Sequence, residues 1–122
     1  LALLLSSCAT ELNKENIVGK WNVTDFTSDT EISPLLLKSA KEIAISGTYQ
    51  FAEDESYEYD DDFLEAPEFN SWELDTKTKE IILIKDDRKK SFKIISFSLN
   101  KMVWEEDMGV LGSNEHTLSK VN

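Results

Sequence analysis

Residues 47–75 read GTYQFAEDESYEYDDDFLEAPEFNSWELD. In this stretch Tyr49 and Phe51 alternate with Thr48 and Gln50. Tyr57 and Tyr59 alternate with Ser56, Glu58 and Asp60, and Trp72 and Leu74 with Ser71, Glu73 and Asp75. A period of two puts every large apolar side chain on one face, the pattern of a half-buried strand rather than a helix. The link Glu53-Asp54-Glu55 is short and polar, so the first two strands are expected to form a hairpin.

Working toward the C-terminus, Ile81–Ile84 is a continuous apolar run. Phe92 and Ile94 are expected to face one way, Ile95 and Phe97 the other; Met102 and Trp104 alternate with Val103 and Glu105. Spacing alone places a last strand near 115–121. The links 76–79, 86–89 and 99–100 are short and polar, so Arg88 falls in a turn. Parallel neighbours would need crossovers of a dozen residues or more, which these links cannot supply.

Toward the N-terminus, Ser33 and Pro34 open PLLLKSAKEIA with an N-cap residue and a proline at the first helical position. Leu36, Ala40, Ile43 and Ala44 recur at helical spacing, Lys38 and Glu42 can pair one turn apart, and Gly47 ends the helix. Before it, Ile17, Gly19, Trp21 and Val23 share one face of a first strand, with Lys20, Asn22 and Thr24 on the other. About eight strands result. Closing them on themselves removes the exposed edges. The expected fold is mostly β, an eight-stranded antiparallel up-and-down β-barrel with one short helix between the first two strands. That helix is expected to cap one mouth.

The 122 residues suffice for one domain, and 40% hydrophobic content is that of a globular chain. Thirteen Lys+Arg against 24 Asp+Glu give a net charge of −11, which argues against nucleic acid and against a basic membrane-binding surface. One Cys cannot form an internal disulfide. It lies in Leu1-Ala2-Leu3-Leu4-Leu5-Ser6-Ser7-Cys8, an apolar run too short to span a bilayer, which needs about 20 residues. The run reads as the tail of a secretory signal whose basic start precedes Leu1. Leu5-Ser6-Ser7-Cys8 resembles a bacterial lipobox, in which cleavage precedes the Cys and lipid is attached to its sulfur. The expected organisation is therefore 1–7 residual signal peptide, 8–16 lipidated Cys8 and polar tether, and 17–122 barrel domain.

Ile17-Val18-Gly19-Lys20-Trp21 resembles the Gly-x-Trp opening strand of the lipocalin and fatty-acid-binding group. GTYQF at 47–51, SYEY at 56–59 and SWELD at 71–75 resemble the lipocalin-like lipoproteins of Bacteroidetes, over roughly residues 17–107. The resemblance implies a lipocalin-like barrel whose closed end is crossed by Trp21. The family's stacking Arg on the last strand has no counterpart, since the only Arg is Arg88; Lys120 is the residue placed to substitute, without a planar stack.

Trp21, Tyr49, Phe51, Tyr57, Tyr59, Trp72, Phe92 and Trp104 are the candidate lining of a pocket for an apolar ligand; the alternative is that they fill the barrel as core. The acidic run from Glu53 to Glu65 lacks the spacing of a Ca²⁺ loop and reads as a solvated hairpin and loop, so no metal is expected. Strands 81–84 and 92–97 are apolar on both faces and need outside cover, from the helix, the tether or another protein. His116, the only His, reads as a surface residue. No catalytic residue and no cofactor are indicated. The expected function is a lipid-anchored lipoprotein of the cell envelope, at the outer membrane with its domain in the periplasm or at the cell surface, binding a small hydrophobic ligand without catalysis. The rival is a solid barrel that binds an envelope protein partner and no small molecule.

Overall fold

Alternation becomes eight strands in the computed structural model, which describes residues 11–121. The expected signal remnant and the lipidation site Cys8 lie outside the described residues. The strands are β1 (Gly19–Ser28), β2 (Thr48–Phe51), β3 (Ser56–Asp60), β4 (Glu68–Asp75), β5 (Glu80–Lys85), β6 (Arg88–Phe97), β7 (Lys101–Asp107) and β8 (Ser113–Lys120). Each pairs antiparallel with the next, and β8 returns to β1 from Trp21↔Lys120 to Ser28↔Asn114, closing the barrel as expected. Closure removes the free edges of the sheet except along β1 beyond Asn22, which has no strand partner on the β2 side. Two helices accompany them, α1 (Lys14–Ile17) and α2 (Pro34–Ile45), together with a 3₁₀ turn at Gly109–Leu111.

Two bulges decide which side chains point inward. A register shift between Val23 and Asp25 lets Val23 and Phe26, three positions apart, both be buried. A second shift, between Ile94 and Ser96, corrects the expected grouping of Ile95 with Phe97. Ile95 is 51% exposed, whereas Phe97 packs on the core with its ring centroid 6.2 Å from that of Trp21. The extra residue reverses the alternation.

The floor is built by α1 and by the links 52–55, 76–79 and 98–100. Residues 14–16, expected as the end of the tether, instead form a helical turn. Asn13 caps it by accepting from the Asn16 amide at 2.9 Å, and Ile17 is fully buried beneath the barrel rather than opening β1. Ile17 O accepts the indole N–H of Trp21 at 2.8 Å. Gly19, at φ 136, occupies a backbone region that L side chains rarely adopt, and a Cβ there would meet Lys120 Cε at 2.7 Å. That gap lets Lys120 reach over Trp21, with Nζ 5.4 Å from the ring centroid and donating to Asn16 O at 3.1 Å. Lys120 thus takes the place expected of the missing Arg, as a cation over the ring. The spacing Gly19-x-Trp21 has a physical meaning: glycine clears the path, and tryptophan receives the charge and seals the floor.

Helix α2 is capped as read, with Ser33 Oγ accepting from the Leu36 amide at 3.2 Å. It lies along β1 rather than across the mouth, and turns Pro34, Leu37, Lys38 and Lys41 toward Phe26. Leu36, expected on the packed stripe, is 60% exposed, and Ile43 is exposed as well. The helix therefore neither caps the mouth nor covers strands β5 and β6.

Candidate functional site

The barrel interior has two storeys. In the lower one Trp21, Phe51, Trp72, Ile81, Met102 and Leu118 are almost wholly buried. Phe51 and Trp72 lie 5.0 Å apart, and the Trp72 indole donates to Ala52 O at 3.1 Å. This storey is solid.

In the upper storey the inner faces of β2, β3, β5 and β6 stand apart around a cavity of about 480 Å³. A volume between roughly 300 and 1,000 Å³ is the usual range for small-molecule sites. Tyr49, Tyr57, Tyr59, Leu83 and Phe92 form its apolar wall. Of the eight aromatic residues singled out from the sequence, four therefore line the cavity. Trp21, Phe51 and Trp72 belong to the solid floor. Trp104 lies just behind the wall, stacked on Phe92 at 4.9 Å and edge-on to Tyr49 at 5.1 Å. The pocket and core readings of the aromatic set thus each describe half of the barrel.

Tyr49 is central to the wall, with its ring 4.8 Å from Tyr59 and 5.9 Å from Phe51. Burial, followed by the neighbouring Tyr59 and Tyr57, pushes its hydroxyl far above the ordinary phenol value, so it stays neutral. Burial also raises Tyr59, whose hydroxyl donates to Asp61 Oδ2 at 2.6 Å. Asp61 Oδ1 accepts from the amides of Phe63 and Leu64 as well. That carboxylate is spent on shaping the β3–β4 loop. No group of three His, Cys, Asp or Glu suited to a metal ion occurs among the described residues.

The rim is charged. Lys85, Arg88, Lys89 and Lys90 line the opening together with Glu68. Arg88 is not in a turn. The β5–β6 link is only Asp86-Asp87, with Asp86 at φ 56, a left-handed conformation that Asp tolerates. Arg88 pairs with Lys85 as the first residue of β6. The signal was present in the alternation: Leu83 and Lys85 share parity, as do Phe92, Lys90 and Arg88. A run of six charged residues, Lys85 to Lys90, masked it. The opening of this cavity therefore sits at the β5–β6 hairpin; a second hollow of about 480 Å³ lies beside the helix, between Phe26 and Pro34, Leu37, Lys38 and Lys41.

His116 also departs from expectation. It points inward, half-buried, 5.0 Å from the Phe26 ring and 6.4 Å from Phe92. Leu118, two positions on and fully buried, carries the parity signal that places it. His116 Nδ1 and the neighbouring Trp104 Nε1 are buried without hydrogen-bond partners. Burial holds His116 below its ordinary 6.5; Glu106 acts in the opposite sense, and Lys90 lowers it further.

On the outer surface Phe69 is 71% exposed, and Ile82 and Ile84 are partly exposed on the adjacent strand. Helix cover was expected there, but α2 lies on β1. No helix among the described residues is long and apolar enough to cross a membrane.

Comparison with known proteins agrees with this architecture. Two structures of the bovine odorant-binding protein, from nasal mucosa, superpose with TM-scores of 0.52 and 0.53 at 14% identity. In both, 93% of this chain covers 76% of the bovine one, and the second holds its natural ligand. At that identity the likeness concerns the fold. None of the curated proteins matches the sequence. The family described as "Lipocalin-like domain" matches residues 17–104, most of the chain, and to that family the chain belongs.

Proposed function

We propose that this chain is a non-enzymatic binder of a small hydrophobic molecule, held in the upper storey of its barrel. The observation that carries the reading is the cavity of about 480 Å³ walled by Tyr49, Tyr57, Tyr59, Leu83 and Phe92 above a solid floor. Aromatic walls supply apolar contact, and the neutral Tyr49 hydroxyl supplies an orienting polar group. The only histidine faces Phe26 with Nδ1 unpartnered, so no carboxylate orients it as a general base.

The test is a titration of the chain from Ala9 onward with fatty acids, sterols and haem, followed by tryptophan fluorescence. The reading predicts saturable quenching or a spectral shift with at least one apolar ligand. No response from any of them contradicts it.

The lipobox reading of Leu5-Ser6-Ser7-Cys8 supports a second element of the proposal, a lipid anchor on Cys8 in the bacterial cell envelope, at the outer membrane. Two or more acyl chains suffice for stable attachment. Cys8→Ser is expected to move the protein from the membrane fraction to the soluble fraction. Retention in the membrane fraction counts against the anchor.

The rival, a protein-binding lipoprotein, draws on the uncovered strip at Phe69, Ile82 and Ile84. A stoichiometric envelope partner lost on Phe69→Asp, with no small ligand bound, would favour it.

A further inference from the structure

The chain carries a net charge of −11, yet the cavity mouth concentrates cations. Lys85, Arg88, Lys89 and Lys90 line it against a single lining carboxylate, Glu68. Two of the four are already matched: Lys85 Nζ lies 3.1 Å from Glu68 Oε2, and Lys90 pairs with Glu106. Among the described residues, Arg88 and Lys89 have no ion-pair partner. Asp86 and Asp87, at the tip of the same hairpin, do not line the cavity. The site is therefore apolar inside and carries uncompensated positive charge at its opening.

We propose that the ligand is an amphiphile with an anionic, carboxylate-type head. Its apolar body lies against Tyr49, Tyr57 and Phe92, and its head meets Arg88 at the mouth, with Lys89, which pairs with the outward Ile84, beside it at the rim. This rests on the binding role proposed above and specifies its ligand class. The order of the lining sets the orientation. A head carried inward would lose water and face the Trp104 ring behind the wall and Phe51 in the floor, whereas at the mouth it stays partly hydrated. The guanidinium of Arg88 offers a planar pair of N–H donors that matches a carboxylate. At physiological ionic strength charges are screened over about 8 Å, so distant carboxylates act weakly. Asp86 and Asp87 adjoin Arg88 in the hairpin and lower the local positive charge, but they do not line the cavity, so the cations remain the charged groups that a head at the mouth meets. Lys90 is held back from the head: its Nζ lies 5.4 Å over the Phe92 ring, and Glu106 holds it on the other side.

Three probes with ten-carbon chains test the assignment, namely decanoate, decan-1-ol and decyltrimethylammonium, titrated calorimetrically at pH 7.5 into the chain from Ala9 onward. Decanoate is expected to bind at least tenfold more tightly than decan-1-ol, and the ammonium probe most weakly. The decanoate advantage is expected to shrink as salt rises. The double variant Arg88→Glu/Lys89→Glu is expected to remove that advantage, weakening decanoate far more than decan-1-ol; both sites are exposed, so the fold tolerates the change. Equal binding of decanoate and decan-1-ol overturns the anionic head while leaving the apolar cavity in place. Decanoate affinity unchanged in the double variant overturns its position at Arg88 and Lys89. If none of the three binds, the ligand class assigned here is overturned, and the binding role is then decided by the titration with sterols and haem.

Discussion

At the floor of the barrel the indole N–H of Trp21 reaches Ile17 O, and that of Trp72 reaches Ala52 O. At the mouth end the indole N–H of Trp104 and Nδ1 of His116 reach nothing, although both are buried. The same residue type is fully satisfied in one half and left unsatisfied in the other. A buried polar atom without a partner costs about 1–3 kcal/mol, so such groups call for a reason. Here they stand directly behind the wall of the cavity, while every large side chain of the floor is close-packed. The lower storey spends its interactions on stability. The upper storey keeps its aromatic surface, the charges of Arg88 and Lys89 and two polar atoms uncommitted.

Substitutions in the two halves should therefore diverge. Trp21→Ala empties the floor and removes the acceptor role of Ile17 O, and is expected to cost about 3–5 kcal/mol in urea unfolding. A loss below about 1 kcal/mol would show that the floor does not carry the fold. Lys120→Met keeps the stem over Trp21 but deletes the cation and its bond to Asn16 O. The expected loss is about 1 kcal/mol, read as a lowered thermal midpoint.

At the mouth end, His116→Phe replaces an unpartnered ring with an apolar one of similar shape and is expected to leave stability at pH 7.5 unchanged or slightly raised. The smallest effect is its pH dependence. Burial depresses the folded-state value of His116 below 6.5, so between those two values the unfolded chain binds more protons. Stability is complete above about pH 6.5 and declines as the pH falls toward the depressed value. His116→Phe should flatten that part of the profile; an unchanged slope would mean that His116 titrates normally in the folded chain.

Most of the barrel was legible because period-two alternation survives in β2, β3, β4 and β7, where Tyr49, Tyr57, Trp72 and Trp104 mark the inner face. The Gly19-x-Trp21 pattern likewise located the floor. What escaped had physical causes. Single-residue bulges near Thr24 and Ile95 reverse the alternation and leave no compositional trace. Arg88 and Lys90 are charged residues facing inward at a rim, where water still reaches them, so parity and polarity point in opposite directions. β8 has only Leu118 as a large buried anchor, which hid the inward turn of His116. One helical turn at 14–17 is too short for any periodicity. The apolar spacing of Leu36, Ala40 and Ile43 in α2 resembled a packed stripe, yet Leu36 is 60% exposed, because the neighbouring β1 accepts another face.

The three indole N–H groups report on the two storeys separately. In a ¹⁵N-labelled chain from Ala9 onward, titrated with decanoate, the account predicts that the Trp104 indole signal moves together with backbone amides of the β5–β6 hairpin. The Trp21 and Trp72 signals stay in place. Movement centred on Trp21 with a silent Trp104, or no movement of any indole or hairpin amide at saturating ligand, would contradict a binding cavity at the mouth end of this barrel.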